Sequence, residues 1–258
     1  MSVDPRALAR ELQQRHARGA RFEALTAQGQ RLTLDDAYAV QDAFVALTCG
    51  GQRGVGYKIG LTSPAMQAMC GISHPIHGEL RGDGIFEAGH AIELARYGRL
   101  GLECEIAVRL ARALPADRAL TRDDVLACCE GVCPAFEMVD DSNADYATLD
   151  AASLVADNSW NAGVVLGRWQ PVPAALPDLH GVLFLDGEEV DRGRVGDALS
   201  HPFDSVLWLA AELDKRGKRL EPGAIVMTGS IVRTRFPEPG QAWSYRVEGL
   251  GEVAVTTR

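Results

Sequence analysis

Leu100 to Leu110 alternate between two kinds of side chain without a break. Leu102, Cys104, Ile106, Val108 and Leu110 fall on one side, and Gly101, Glu103, Glu105, Ala107 and Arg109 on the other. Period two over this length demands a β-strand with one face on a core, because successive side chains of a strand point to opposite faces. One such strand needs partners. Further short apolar runs bounded by Gly, Pro and Asp stand at 135–139, 163–167, 182–185 and 224–228. Near the end, Trp243, Tyr245 and Val247 pair with Val253 and Val255 around a Gly249–Gly251 turn, which predicts a hairpin.

Helical signals are concentrated elsewhere. Asp4 before Pro5 reads as an N-cap followed by the residue preferred in the first turn, with Leu8 and Leu12 on one face. Thr33, with Asp36 three residues on, opens a second helix whose stripe is Ala37, Val40, Ala43, Phe44 and Leu47 and which Gly50-Gly51 ends. Thr121 with Asp124 caps a helix over 121–129, and 200–216 carries a stripe of Phe203, Val206, Leu207, Leu209, Ala210 and Leu213. Helices and strands do not alternate regularly, which argues against a Rossmann sheet or a (β/α)8 barrel. The reading is an α+β protein with a helical N-terminal segment at 1–50 and a β-rich body at 51–258.

Charge and cysteine usage exclude several classes. The net charge of the 258 residues is −9, so a grip on nucleic acid or anionic lipid, which needs a basic surface, is not expected. No apolar run is long enough to span a membrane. Arginines at 6, 10, 15, 18 and 21 are interleaved with Asp4, Glu11 and Glu23, unlike a transit peptide, and no secretion-signal core precedes them. A cytoplasmic protein is expected. The cysteines Cys49, Cys70, Cys104, Cys128, Cys129 and Cys133 form no C-x-x-C pair and read as free, buried thiols.

Four places could carry chemistry. Glu103 and Glu105 project side by side from one strand, and Glu137 on the next could add a third carboxylate, a set suited to Mg2+ or Mn2+. The competing reading is a solvated sheet face with Arg109 as ion-pair partner. Lys58, in Gly56-Tyr57-Lys58-Ile59-Gly60-Leu61-Thr62-Ser63, is either a partly buried proton carrier or a snorkelling strand lysine. Asp157-Asn158 could position substrate or make a turn, and Thr228-Gly229-Ser230 could hold a carboxylate on bared N–H groups or simply turn. His74 and His77 form no metal pattern and read as loop residues. No G-x-S-x-G, Walker loop or G-x-G-x-x-G is present.

Taken in order, Gly56 to Ser63, Leu102-Glu103-Cys104-Glu105-Ile106-Ala107, Pro134-Ala135-Phe136-Glu137, Ala156-Asp157-Asn158, His201-Pro202 and Thr228-Gly229-Ser230 resemble the 2-keto-4-pentenoate hydratase and 4-oxalocrotonate decarboxylase group of the fumarylacetoacetate hydrolase superfamily. The resemblance spans nearly the whole chain. It implies a mixed β-roll body, assembly as a homo-oligomer, and Mg2+ or Mn2+ on Glu103, Glu105 and Glu137. It implies Lys58 as general acid/base, with Asp157, Asn158, Trp160, Thr228, Gly229 and Ser230 around a small 2-oxo or 2-hydroxydienoic acid. Water addition is the leading reaction. Decarboxylation, carbon–carbon hydrolysis and binding without turnover are the alternatives, although no His-Glu dyad is seen to activate water for hydrolysis. Two positions depart from the group. Its Pro-Asp-x-Gly is Pro75-Ile76-His77-Gly78 here, and its Ala-Asp-Asn-Ala-Ser is Ala156-Asp157-Asn158-Ser159-Trp160. In an extended segment Ser159 would face away from the side Trp160 takes, and a filled pocket would favour a short or flat substrate over a long diacid.

Overall fold

The computed structural model describes residues 3–49, 54–116 and 118–258. Its helices are α1 (Pro5–Ala17), α2 (Leu34–Thr48), α3 (Pro64–Met69), α4 (Arg122–Cys128), α5 (Ala151–Ala156) and α6 (Pro202–Asp214). The first six strands are β1 (Gly56–Gly60), β2 (Ile76–Leu80), β3 (Ile85–Glu87), β4 (His90–Ile92), β5 (Leu100–Leu110) and β6 (Cys129–Asp140). The others are β7 (Asn161–Leu166), β8 (His180–Leu185), β9 (Glu188–Arg194), β10 (Ile225–Met227), β11 (Ala242–Val247) and β12 (Gly251–Thr257).

Caps place the helices where the side-chain chemistry puts them. The Asp4 carboxylate accepts from the N–H groups of Arg6 and Ala7 at the start of α1. Thr33 and Asp36 form a reciprocal capping box on α2, and Thr121 and Asp124 another on α4. His201 caps α6 by accepting from the Phe203 N–H at 2.9 Å. On α2, Ala37, Val40 and Phe44 are buried, whereas Leu47 is exposed. Cys49 is the C-cap of α2, and the Gly50-Gly51 stop lies outside the described residues. The Ser63-capped α3 was not expected in the Gly-punctuated stretch.

Two sheets carry the body. One has the strand order β2-β1-β10-β5-β6-β7-β3 and the other β4-β12-β11-β8-β9. The apolar side of β5 enters the main core with Val226, Leu209 and Tyr245. The opposite side of β5 is covered as well, since Ala107 and its neighbours Cys133, Ala135 and Met227 are buried in a smaller cluster. Polar residues there are therefore sequestered, not solvated. The hairpin forms in the expected register, with Trp243 opposite Val255 and Tyr245 opposite Val253. The sequence reading missed β9, because residues 188–194 have almost no apolar alternation. A tight Asp186-Gly187 turn, both residues at positive φ, folds it onto β8. α1, α2 and α5 share a separate apolar cluster that includes Leu8, Leu12, Phe44 and Val155.

Candidate metal centre and substrate cavity

Register brings the glutamates together. β5 and β6 are antiparallel with Glu103 directly opposite Glu137, and Glu105 lies two residues along the same face. One carboxylate oxygen from each of Glu103, Glu105 and Glu137 lies within 4.8 Å of the others. Lys58 arrives from the other side. It pairs with Met227 of β10, which pairs with Ala107 of β5, so all three share that face. Ala107 and Ala135 are small, which leaves room for the lysine stem to cross. Its Nζ lies 2.9 Å from Glu137 Oε1. Lys58 is 3% exposed, and Glu105 and Glu137 are fully buried.

The remaining contacts hold the cluster unevenly. The Gly229 N–H donates to Glu105 Oε2 at 2.8 Å, and the Thr234 hydroxyl donates to Glu103 Oε1 at 2.6 Å. Glu105 Oε1 and Glu137 Oε2 are buried with no hydrogen-bond partner among the described residues. Burial, reinforced by Glu137 and Glu103, pushes Glu105 well above the ordinary carboxylate range. Burial also pushes Glu137 up to about 7 against the pull of Lys58. Three carboxylates with two orphaned oxygens and one ammonium are short of positive charge. A divalent cation with oxygen preference fits this donor set, and the three glutamates would hold it.

Lys58 is a buried lysine whose pKa is raised, not lowered. Burial acts to lower it, but Glu137, Glu103 and Glu105 outweigh that effect and hold the ammonium charged. Arg109 is not a partner of the glutamates. It donates to Glu130 at 2.6 Å and lies over the Trp169 ring.

A cavity of about 680 Å³ opens above the cluster, with Lys58 and Glu103 in its lining. Leu61, Met66, Ile76, Leu149 and Leu154 make apolar wall, and Ser159, Trp160 and Ser230 also face it. The 158–160 segment is not extended. Asn158, Ser159 and Trp160 all have positive φ, a left-handed turn that is costly for non-glycine residues. That turn is why Ser159 and Trp160 reach the same cavity, contrary to the alternation assumed for an extended chain. The Trp160 ring meets Phe22 and Tyr146 edge-on, at 5.1 and 6.0 Å between centroids.

Other expected contacts go elsewhere. Asp157 faces α1, where it meets His16 Nε2 at 2.5 Å, and Asn158 takes the free edge of β2. The Asn158 Oδ1 accepts from the Glu79 N–H at 2.7 Å and its Nδ2 donates to the Glu79 carbonyl at 2.9 Å. The Thr228 hydroxyl donates to the Ile106 carbonyl at 2.8 Å. Gly229, at φ +104, does hold a carboxylate, but it is that of Glu105; a Cβ there would sit 2.6 Å from Thr62 Cγ2. His77 is not in a loop. It lies in β2, fully buried against Tyr38 and Tyr57, and its ring nitrogens have no partner among the described residues. Burial and nearby Arg216 and Lys218 push its pKa down to about 3. His74 does lie outside the strands, in a bend. Thr234 and Tyr146 were missed by sequence reasoning, because nothing local marks a threonine 131 positions from the glutamate it serves.

Comparison with known proteins gives the chain's relatives. Residues 80–258 match the family described as fumarylacetoacetate (FAA) hydrolase C-terminal. A 2-oxo-hept-4-ene-1,7-dioate hydratase of Escherichia coli is 32% identical over 96% of this chain and 95% of its own. A 4-oxalocrotonate decarboxylase of a Pseudomonas species is 31% identical over 88% and 90%. Among solved structures, 4-oxalocrotonate decarboxylase from Pseudomonas putida G7, complexed with magnesium and adipate, superposes with a TM-score of 0.92 at 28% identity, covering 100% of this chain and 99% of that one.

Proposed function

Because the chain belongs to the fumarylacetoacetate hydrolase family, we propose that it is a divalent-metal-dependent lyase that adds water to a 2-hydroxydienoic or 2-oxo acid. The observation that carries this is the convergence of Glu103, Glu105 and Glu137 beneath one cavity, with buried oxygens lacking donors and Lys58 among them. Relatives named as hydratases and the magnesium complex of the decarboxylase support it. Glu103, Glu105 and Glu137 would hold Mg2+ or Mn2+, which would supply a Lewis acid for the negative charge that develops on the keto oxygen of a 2-oxo acid.

The chain's own residues do the rest. Gly229 and Thr234 keep Glu105 and Glu103 aimed at the centre. Lys58 lines the cavity with its Nζ 2.9 Å from Glu137, where it can give a proton to the carbon skeleton as the dienol becomes the enone and take one back afterwards. Leu61, Met66 and Ile76 keep bulk water from the hydrocarbon part of the substrate.

A second reading, loss of CO2 from a 2-oxo diacid, is favoured by one observation. Ile76 stands in the cavity wall where the hydratases this chain resembles carry Asp, and His77 faces the opposite side of β2. Decarboxylation uses the same electron sink and needs no base to activate water. Incubating the protein with Mg2+ and either 2-hydroxypenta-2,4-dienoate or 4-oxalocrotonate separates the readings. Formation of the 4-hydroxy-2-oxo acid supports hydration, and CO2 release supports the second reading. Inactivity on both, and on longer 2-oxo acids, would overturn the proposal. Assembly as a homo-oligomer and a cytoplasmic location complete it. No helix among the described residues is long and apolar enough to cross a membrane.

A further inference from the structure

The cavity offers more than a 2-oxo acid head needs. Buried Lys58 and half-buried Glu103 line it together with apolar side chains, and its exposed rim carries charged residues from two separate segments, Asp191 and Arg192 of β9 and Arg233. Most of these charges are already matched. Asp191 accepts from Arg235 at 2.6 Å. Arg192 donates to both oxygens of Glu189, at 2.7 and 2.8 Å. Arg233 is exposed, lines the cavity, and has no carboxylate partner among the described residues. The next residue, Thr234, reaches down to Glu103, so this segment runs from the candidate metal centre to the rim.

We propose that Arg233 is a specificity-determining residue that binds the far carboxylate of a dicarboxylic substrate whose 2-oxo acid head sits at the glutamates. The inference rests on the function proposed above and narrows its substrate class. A guanidinium recognises a carboxylate through two parallel N–H donors, which a methyl or vinyl end cannot accept. The apolar side chains of the same lining suit the hydrocarbon that joins two such ends. A diacid therefore satisfies both poles of the cavity, whereas a monoacid leaves the rim cation to water.

Two saturated keto acids test this without turnover. 2-Oxoadipate and 2-oxohexanoate share the head and chain length and differ only in the terminal carboxylate. Their binding to the full chain in Mg2+ is measured by calorimetry. The wild-type protein is expected to prefer 2-oxoadipate by about tenfold, the size of a partly exposed hydrogen bond between charged groups. Arg233→Met removes that preference, and Arg233→Lys keeps part of it. Equal binding of the two acids to wild type overturns the assignment. So does a preference that survives Arg233→Met, or a loss that weakens both acids alike, which would put Arg233 at the shared head. If neither acid binds in Mg2+, the proposed function itself falls and takes this inference with it.

Discussion

Replacing Asn158 by leucine separates two roles that the sequence alone left open. The side chain is 2% exposed and spends both ends of its amide on the Glu79 backbone at the free edge of β2. Leucine is close in size but offers neither donor nor acceptor. It leaves an N–H and a C=O without partners, at about 1–3 kcal/mol each. It also places a non-Asn residue at φ 50, where Asn is better tolerated, for about 1 kcal/mol more. Because Glu79 is only partly buried, water recovers some of this, and a loss of about 3 kcal/mol is expected. For a chain of this size that lowers Tm by about 6–12 °C. Asn158→Asp keeps the acceptor and the backbone preference; its ionised form lacks the donor to the Glu79 carbonyl and should lose about half as much, while its protonated form can make both bonds. Urea denaturation followed by circular dichroism measures both. If Asn158→Leu costs under about 1 kcal/mol while turnover collapses, Asn158 contacts substrate and the edge-clamp account is wrong.

Three further outcomes follow from the site and its supports. Lys58→Ala should lower kcat by about 10²-fold or more while Mg2+ binding, read by calorimetry, changes little; near wild-type turnover would make Lys58 structural. Trp160→Ser should change the ranking of 2-oxo acids of increasing length, because Trp160 lines the cavity, and an unchanged ranking would reduce it to packing against Phe22 and Tyr146. Burial works to lower the pKa of His16, but the hydrogen bond and charge of Asp157, helped by Asp140 and opposed by Arg81, raise it above 6.5. The stability this pair adds is thus complete below the pKa of free histidine and fades as pH rises through the higher folded value. The wild-type advantage in Tm over His16→Gln should shrink as pH rises above about 6.5, and a constant difference would contradict the pairing.

Much of the fold was legible because short-range chemistry decides it. The capping pairs Thr33–Asp36 and Thr121–Asp124 and the alternation in β5 each act within a few residues. The glutamates were legible for the same reason: period two puts Glu103 and Glu105 on one face, and the ordered motifs drew Glu137 to them. What the chain hides is which way the second layer turns. The left-handed run at 158–160 depends on Gly78, where a Cβ would sit 2.5 Å from the Asn158 carbonyl oxygen, a contact across 80 positions. No local pattern shows that contact, so Asp157 and Asn158 looked like pocket residues when their side chains serve α1 and β2. His77 was hidden by the same packing, since Ile76-His77-Gly78 reads as a loop until α2 covers it. β9 was hidden because its pairing rests on the Asp186-Gly187 turn and not on apolar side chains.

Anomalous diffraction from crystals grown with Mn2+ and oxalate tests the metal assignment most directly. Oxalate carries the two oxygens of a 2-oxo acid head and cannot react. The account predicts one strong manganese peak among Glu103, Glu105 and Glu137, with a carboxylate oxygen of each at roughly 2.1–2.3 Å and oxalate on the cavity side. It also predicts that Glu137→Gln weakens the peak. A manganese peak elsewhere on the chain, or none while Lys58 and Glu137 stay paired, would contradict it.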